Sequence, residues 1–559
     1  MPKKIVLALL PYWNPFFPPL GISCIKGQLQ THGYDVKTID ANVLEDFRKI
    51  YDQYFQVFRD FIPEYKQGNL YNIGHDVMQN HMMAYLNYKD AAVYRSVLEA
   101  LVKKTFYCEF PDELIDRLEP PIVQFYQKLE LFVQETLERE TPDVFGLSVF
   151  SGALPASVFA FKHCRRHFPH IKTVMGGGIF AEHLAPGSPN YHHFLEETAD
   201  YIDKLFVGEG EVLLLKYLRN ELPPEKRVYT LQDIGMETME ITTAQVPDFT
   251  DYDFRYYPQL AFYTSRSCPF KCAFCSETIQ WGKFRKKDGA QAARELISLH
   301  RKHKHQLFLM GDSLMNPTIT SFSNELLKFD EAVYWDGYLR IDKNVCNMEN
   351  TFLWRRAGLF RARLGIESVS PRVLDLMDKN LSVDDIRQAV SALASAGIKT
   401  STMWLIGFPG ETEEDFQAML DFLEELKDDI YQVDCNTFRY FLKGQAGSDH
   451  WGYKNEPLYP EDTERMLMIE HWKLDCQPSR EEMYDRHCRL MEHCRKLGIP
   501  NPYFMLDAYK ADERWNTLHE NAAPSIVEFK GDAYVDECKR IEPFQMAVET
   551  VEDDGDFCL

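Results

Sequence analysis

The chain has 559 residues, of which 45% are hydrophobic and 26% charged, with a formal net charge of -23. That length exceeds one ordinary core and calls for about two to four domains, while the acidic balance argues against a nucleic-acid partner. No run of about 20 uncharged apolar residues is present to span a bilayer, and thirteen cysteines without a secretion signal suit a reducing cytoplasm better than a disulfide framework.

In chain order, the basic start and the apolar run Ile5 to Leu10 resemble a signal peptide, but Pro11-Tyr12-Trp13 follows without a small-residue cleavage site, so the run is taken as a first strand. A helical stretch from Pro18-Pro19-Leu20-Gly21 to Gln30, then Gly33 and a run ending at Asp40, completes a strand-helix-strand unit of a parallel sheet. Residues 42–140 change to charged and aromatic segments of helical spacing and are expected to be a helical insertion. The strand pattern resumes at Asp143 to Ser151, and again at Thr173 to Met175 before the triglycine Gly176-Gly177-Gly178. A last run, Lys204 to Val207, leads into Gly208-Glu209-Gly210-Glu211. Residues 1–221 are therefore expected to form a doubly wound, Rossmann-like domain and the polar stretch 222–258 a linker. From 259 to 450, strand-like runs alternate with helical ones: Leu260 to Thr264, Gln306 to Met310, Ala332 to Arg340, Arg361 to Ile366, Thr400 to Ile406 and Val433 to Tyr440. Six such units make a partial (β/α)6 barrel of the TIM type, with chemistry expected in the loops after the strands. Residues 451–559 are expected to be helical and to end in the acidic tail 551–556.

The loop after the first barrel strand holds Cys268, Cys272 and Cys275, a CxxxCxxC spacing. Three thiolates on one short loop can ligate three irons of a 4Fe-4S cubane and leave the fourth open to an α-amino acid group. A zinc site would need a fourth ligand, and no paired CxxC or HxxxH lies nearby. Phe274 is placed to cover the cluster or lean toward an adenine. Cys476, Cys488, Cys494 and Cys538 lack the tight pairs of an auxiliary cluster, and Cys435 on the sixth strand is a candidate for the barrel interior. Trp404 and Tyr440 are the aromatics singled out for substrate contact, with core packing as the plainer role.

The segment Ser267-Cys268-Pro269-Phe270-Lys271-Cys272-Ala273-Phe274-Cys275 resembles the signature of the radical S-adenosylmethionine (SAM) superfamily. Gly311 to Asn316, Leu364 to Ser368 and Gly407 to Thr412 resemble its motifs after the second, fourth and fifth strands. The resemblance implies SAM contacts at Asp312, Ser313, Glu367, Ser368, Ile406 and Gly407, with Arg340 available for a SAM carboxylate. A turn aspartate at Asp312, a cap or surface acid at Glu367 and a structural ion pair at Arg340 are the alternatives. Pro18 to Gly21, Gly146 to Ser148, the triglycine and Val207 to Glu211 resemble the cobalamin-binding domain of one branch, which implies corrinoid contacts at Ser148, Ser151, Gly176, Gly177, Gly178 and Glu209. No DxHxxG segment is present, so a protein imidazole on cobalt is not implied.

The function implied is hydrogen abstraction by a 5′-deoxyadenosyl radical, with an external donor of flavodoxin or ferredoxin type. Methyl transfer to a small molecule, phosphinate or peptide is the outcome typical of that branch; cyclisation, rearrangement or peptide maturation would use the same parts. A non-catalytic cluster or corrinoid sensor is the rival of another class, and the acidic charge counts against a tRNA-modifying enzyme.

Overall fold

The computed structural model of the chain describes residues 3–524 except 14, 448–450, 470 and 502–504, and omits the side chains of 505–509. Cys538 and the acidic tail lie outside the described residues.

The first sheet holds six parallel strands in the order β2-β1-β3-β4-β5-β6. They are β1 (Lys4–Leu9), β2 (Asp35–Asp40), β3 (Val144–Ser148), β4 (Lys172–Gly176), β5 (Lys204–Val207) and β6 (Val228–Thr230). The sixth strand falls inside the stretch 222–258 expected as a linker: short and polar, Val228–Thr230 is recognisable as a strand only beside Leu205 to Val207. Strand β1 reads as a continuous apolar run because it is covered on both faces. Ile5 and Leu7 face the layer that includes Leu213 and Leu218, whereas Val6 and Ala8 face the other side.

Helix α1 (Leu20–Gln30) joins β1 to β2, and four helices run between β2 and β3: α2 (Glu45–Phe61), α3 (Leu70–Asn87), α4 (Ala91–Phe106) and α5 (Asp112–Glu140). Their apolar faces share one core with Val6, Ala8, Phe145, Leu147 and Met175, so they form part of the covering layer of the sheet. The remaining helices of this unit are α6 (Leu154–His167), α7 (Pro189–Glu197) and α8 (Gly210–Leu218).

The second sheet is built from β7 (Leu260–Phe262), β10 (Leu307–Met310), β11 (Tyr334–Leu339), β12 (Leu359–Glu367), β13 (Lys399–Ile406) and β14 (Gln432–Thr437), all parallel and in sequence order. Between β7 and β10 stands the two-stranded ribbon β8 (Ser265–Arg266) and β9 (Arg285–Lys286). This is the partial barrel, an open (β/α)6 sheet covered by helices. Inside it, Asp336 is fully buried and accepts hydrogen bonds from Arg361 and Arg363. After β14 the chain forms a small antiparallel pair, Asn455–Pro457 with Trp472–Leu474, and the helices Glu461–Leu467, Arg480–Lys496 and Met505–Leu518. Among the described residues no helix is long and apolar enough to cross a membrane.

Candidate active site

The cysteine loop leaves β8 and returns on β9, where Arg266 is paired directly with Arg285. Ser267 sits in the left-handed region, with φ of 71°, and its hydroxyl donates to the Gly282 carbonyl at 2.7 Å. The loop backbone is also tied from below: the Ala273 amide donates to Met377, while Ala446 and Gly447 donate to the carbonyls of Cys275 and Ala273. Gln445 adds a side-chain bond to the Phe274 carbonyl at 3.0 Å. Burial pushes the Cys268 thiol up and the Cys275 thiol up to about 12, against the amides of Phe270 and Glu277, which favour the thiolates. Iron bound there would supply the positive charge that makes thiolates of such ligands. Among the described residues no three His, Cys, Asp or Glu side chains converge on one ion; a cubane instead takes one thiolate per iron, and three partly sheltered cysteines with amide donors fit it.

Arg340 belongs to this site. Its guanidinium donates to the Cys272 sulfur at 3.5 Å and lies 4.1 Å above the Phe270 ring, while Asn316 bonds both the amide and the carbonyl of Arg340. Glu367 stands at an irregular register of β12, with φ of 67°, and accepts from Lys379 at 2.9 Å. Lys379 in turn lies 5.7 Å from the Phe274 ring, which brings Glu367 to the cluster loop. Ser313 donates to Glu277, two residues past Cys275. Ile406 and Ser368 are buried.

Three of the expected contact residues have partners within the chain. Asp312 is 1% exposed and accepts from the Thr264 amide and from the hydroxyls of Thr264 and Ser265, so it holds the strand end that launches the cysteine loop. Gly407 is bare because a Cβ there would meet Met483 Cγ at 2.3 Å, so the C-terminal helix occupies the space on that side. Glu209 has a side chain 1% exposed and paired with Arg266 and Arg285.

The triglycine serves mainly the chain itself. A Cβ on Gly177 would lie 2.4 Å from the Val149 amide nitrogen and on Gly178 3.0 Å from the Phe150 ring, whereas Gly176, paired with Ser148, meets only ordinary contacts. Cys435 points away from the barrel interior, toward His487 Nδ1 at 3.2 Å, and Trp404 packs outward on Phe422. Tyr440 packs near Trp451.

A cavity of about 590 Å3 opens beside the cluster loop. Its first wall is Tyr12, Trp13, Ser151 and Gly152, past the carboxyl ends of β1 and β3. The chain direction switches there, between two strands adjacent in the sheet but separated by β2 and the four helices, which is where open α/β sheets bind ligands. The second wall is Phe274 with Leu405, Asn436 and Phe438 from the barrel. The third is one face of α3, carrying Asn72, His75, Asp76 and Gln79 at the i, i+3, i+4, i+7 spacing of a helix. Asn72 bonds Asn436 at 3.0 Å and Asp76 pairs with Arg439 at 2.6 Å, which joins this helix to the last barrel strand. His75 bonds the Tyr51 hydroxyl, and burial lowers its pKa to about 4, so the ring is neutral. Sequence reasoning passed over Tyr12, Trp13, Lys379, Gln445 and this α3 face; only the polar spacing on α3 was visible beforehand.

The cysteine loop falls within residues 262–423, which match the family model described as the radical SAM superfamily. The fold of the chain is similar to those of two solved structures. The chain is similar to the solved structure of the radical SAM methyltransferase TsrM from Kitasatospora setae with cobalamin and a [4Fe-4S] cluster bound (TM-score 0.58, 13% identity, 97% of this chain and 99% of that one). It is also similar to the cobalamin-dependent SAM radical enzyme OxsB with aqua-cobalamin bound (TM-score 0.51, 16% identity, 84% of this chain and 57% of that one). Among curated proteins, the anaerobic magnesium-protoporphyrin IX monomethyl ester cyclase of Rubrivivax gelatinosus is 26% identical over 315 residues, 51% of this chain and 54% of that protein. The chain thus spans about half the length of that relative.

Proposed function

We propose that the enzyme is a cobalamin-dependent radical SAM methyltransferase that acts on an unactivated carbon, or a phosphinate, of a small molecule or peptide. The observation that carries this reading is the cavity itself, because the ligand crevice of the first sheet opens directly onto Phe274 of the cluster loop. A corrinoid suits the crevice: Trp13, 44% exposed, stacks at 5.4 Å on Phe150, 38% exposed, as an apolar shelf, and Ser151 and Gly152 supply a polar rim next to it. The cluster, reduced by a flavodoxin- or ferredoxin-type protein, supplies the electron that cleaves SAM, and the corrinoid supplies a methyl carrier.

The chain's own residues bind and orient. Arg340 takes the SAM carboxylate beside Cys272, and Glu367, held by Lys379, takes hydroxyls of the ribose. The aromatic walls exclude water from the radical, and the polar face of α3 meets the substrate opposite the cluster. Radical cyclisation is the second reading, favoured by the likeness to the anaerobic cyclase.

Anaerobically reconstituted protein is expected to form 5′-deoxyadenosine from SAM when given a reductant, and the Cys272→Ala variant to form none. Equal activity in the variant would remove the cluster assignment. A methyltransferase also yields S-adenosylhomocysteine, whereas a cyclase yields none.

A further inference from the structure

The acidic pair Glu209 and Glu211 opens α8, just past the carboxyl end of β5, and both side chains reach out of the first domain to the mouth of the cysteine loop. Glu211 accepts from Arg266 at 2.5 Å, and Arg266 lies 3.4 Å from Glu209. Glu209 is gripped from the other side by both terminal nitrogens of Arg285, one of them at 3.1 Å, and by the Met239 amide at 3.1 Å. The four side chains are 1 to 17% exposed. Arg266 and Arg285 are register partners across the β8-β9 ribbon, so two like charges stand side by side where the loop 267–284 begins and ends. Without the two carboxylates these arginines repel each other and stay desolvated, which is costly for buried charges.

We infer that Glu209 and Glu211 are positioning residues for the cluster: they clamp both ends of the loop that carries Cys268, Cys272 and Cys275 to the ligand-bearing edge of the first sheet. Apolar side chains of the same size would hold two domains together as well. A fork of directional charge-assisted bonds to both ends of one loop sets the loop's orientation in addition. The clamp makes the cluster loop and the first domain move as one body. The inference rests on the reading of the cysteine loop as the cluster site.

The test uses the full chain, reconstituted with iron and sulfide, as wild type and as the double variant Glu209→Gln, Glu211→Gln, which keeps size and removes charge. Amide hydrogen exchange in 267–284 should accelerate about tenfold or more in the variant, with β1 and β12 unchanged. Iron content should be retained, the change in the reduced cluster's EPR spectrum on adding SAM should be lost, and SAM cleavage should fall about ten- to hundredfold, as for a displaced reacting pair. Unchanged exchange together with an unchanged EPR response overturns the clamp. Should the double variant fail to fold, the single variants Glu209→Gln and Glu211→Gln make the same comparison: faster exchange in 267–284 in either supports the clamp, and wild-type exchange in both overturns it. A wild type that cleaves no SAM would contradict the proposed function, and the exchange comparison would still decide the clamp.

Discussion

Arg340 shows how one side chain serves two ends. Its guanidinium donates to the Cys272 sulfur and stacks on Phe270, while Asn316 fixes its backbone, so the charge is held beside the cysteine loop. Arg340→Ala is expected to raise the KM for SAM about tenfold, and Arg340→Lys to restore little, because an ammonium lacks the planar fork. Initial rates of 5′-deoxyadenosine formation against SAM concentration check this; an unchanged KM removes Arg340 from the SAM site. Glu411 carries a different consequence. It is 2% exposed, and burial pushes its carboxyl up to about 7 although Arg486 and the Gly407 amide pull it down. A raised carboxyl binds its proton more tightly folded than unfolded, so its contribution is greatest below about pH 4.5 and declines as pH rises toward 7. Unfolding free energies of wild type and Glu411→Gln should therefore converge below pH 5 and separate toward pH 7, with the variant losing less. Parallel pH profiles would refute this. The cysteine loop was legible as residues because its chemistry is local in sequence. The ion pairs of Glu209 were not legible because the arginines that claim it lie 57 and 76 residues away, a distance no motif spans.

At the scale of elements, alternating apolar runs marked the barrel strands, since each is covered by a helix on its outer face. The face that each residue presents was less visible. Trp404 and Cys435 are register partners on neighbouring strands, and both point outward, toward Phe422 and His487. The period of a strand states that two faces exist, and packing decides which is inside. The four-helix insertion was readable as helices, but its place on the cavity was not, because the contacts of α3 with Asn436 and Arg439 join residues more than 360 positions apart. The triglycine turn gives a prediction at this scale. Gly177 has φ of 117° and its missing Cβ leaves room for the Val149 backbone. Gly177→Ala should destabilise the first domain by about 3 kcal/mol from strain and overpacking together. Thermal unfolding that is unchanged would show that the turn relaxes freely.

For the molecule as a whole, two units face one cavity. The first sheet offers the crevice at its switch point and the barrel offers the cluster loop. Helix α3 closes the space between them, and the Glu209 and Glu211 clamp holds the loop against the first domain. Nothing in the charge or composition announced this arrangement; it follows from where β1, β3 and β7 end. The most direct measurement of the account is corrinoid against iron in protein purified anaerobically from cells supplied with hydroxocobalamin, for wild type and for Trp13→Ala, Ser151→Trp. The account predicts about one corrinoid beside about four irons in the wild type, with the corrinoid lost and the iron kept in the variant. Four irons without corrinoid in the wild type would contradict it, and would leave radical cyclisation or rearrangement as the chemistry of the cavity.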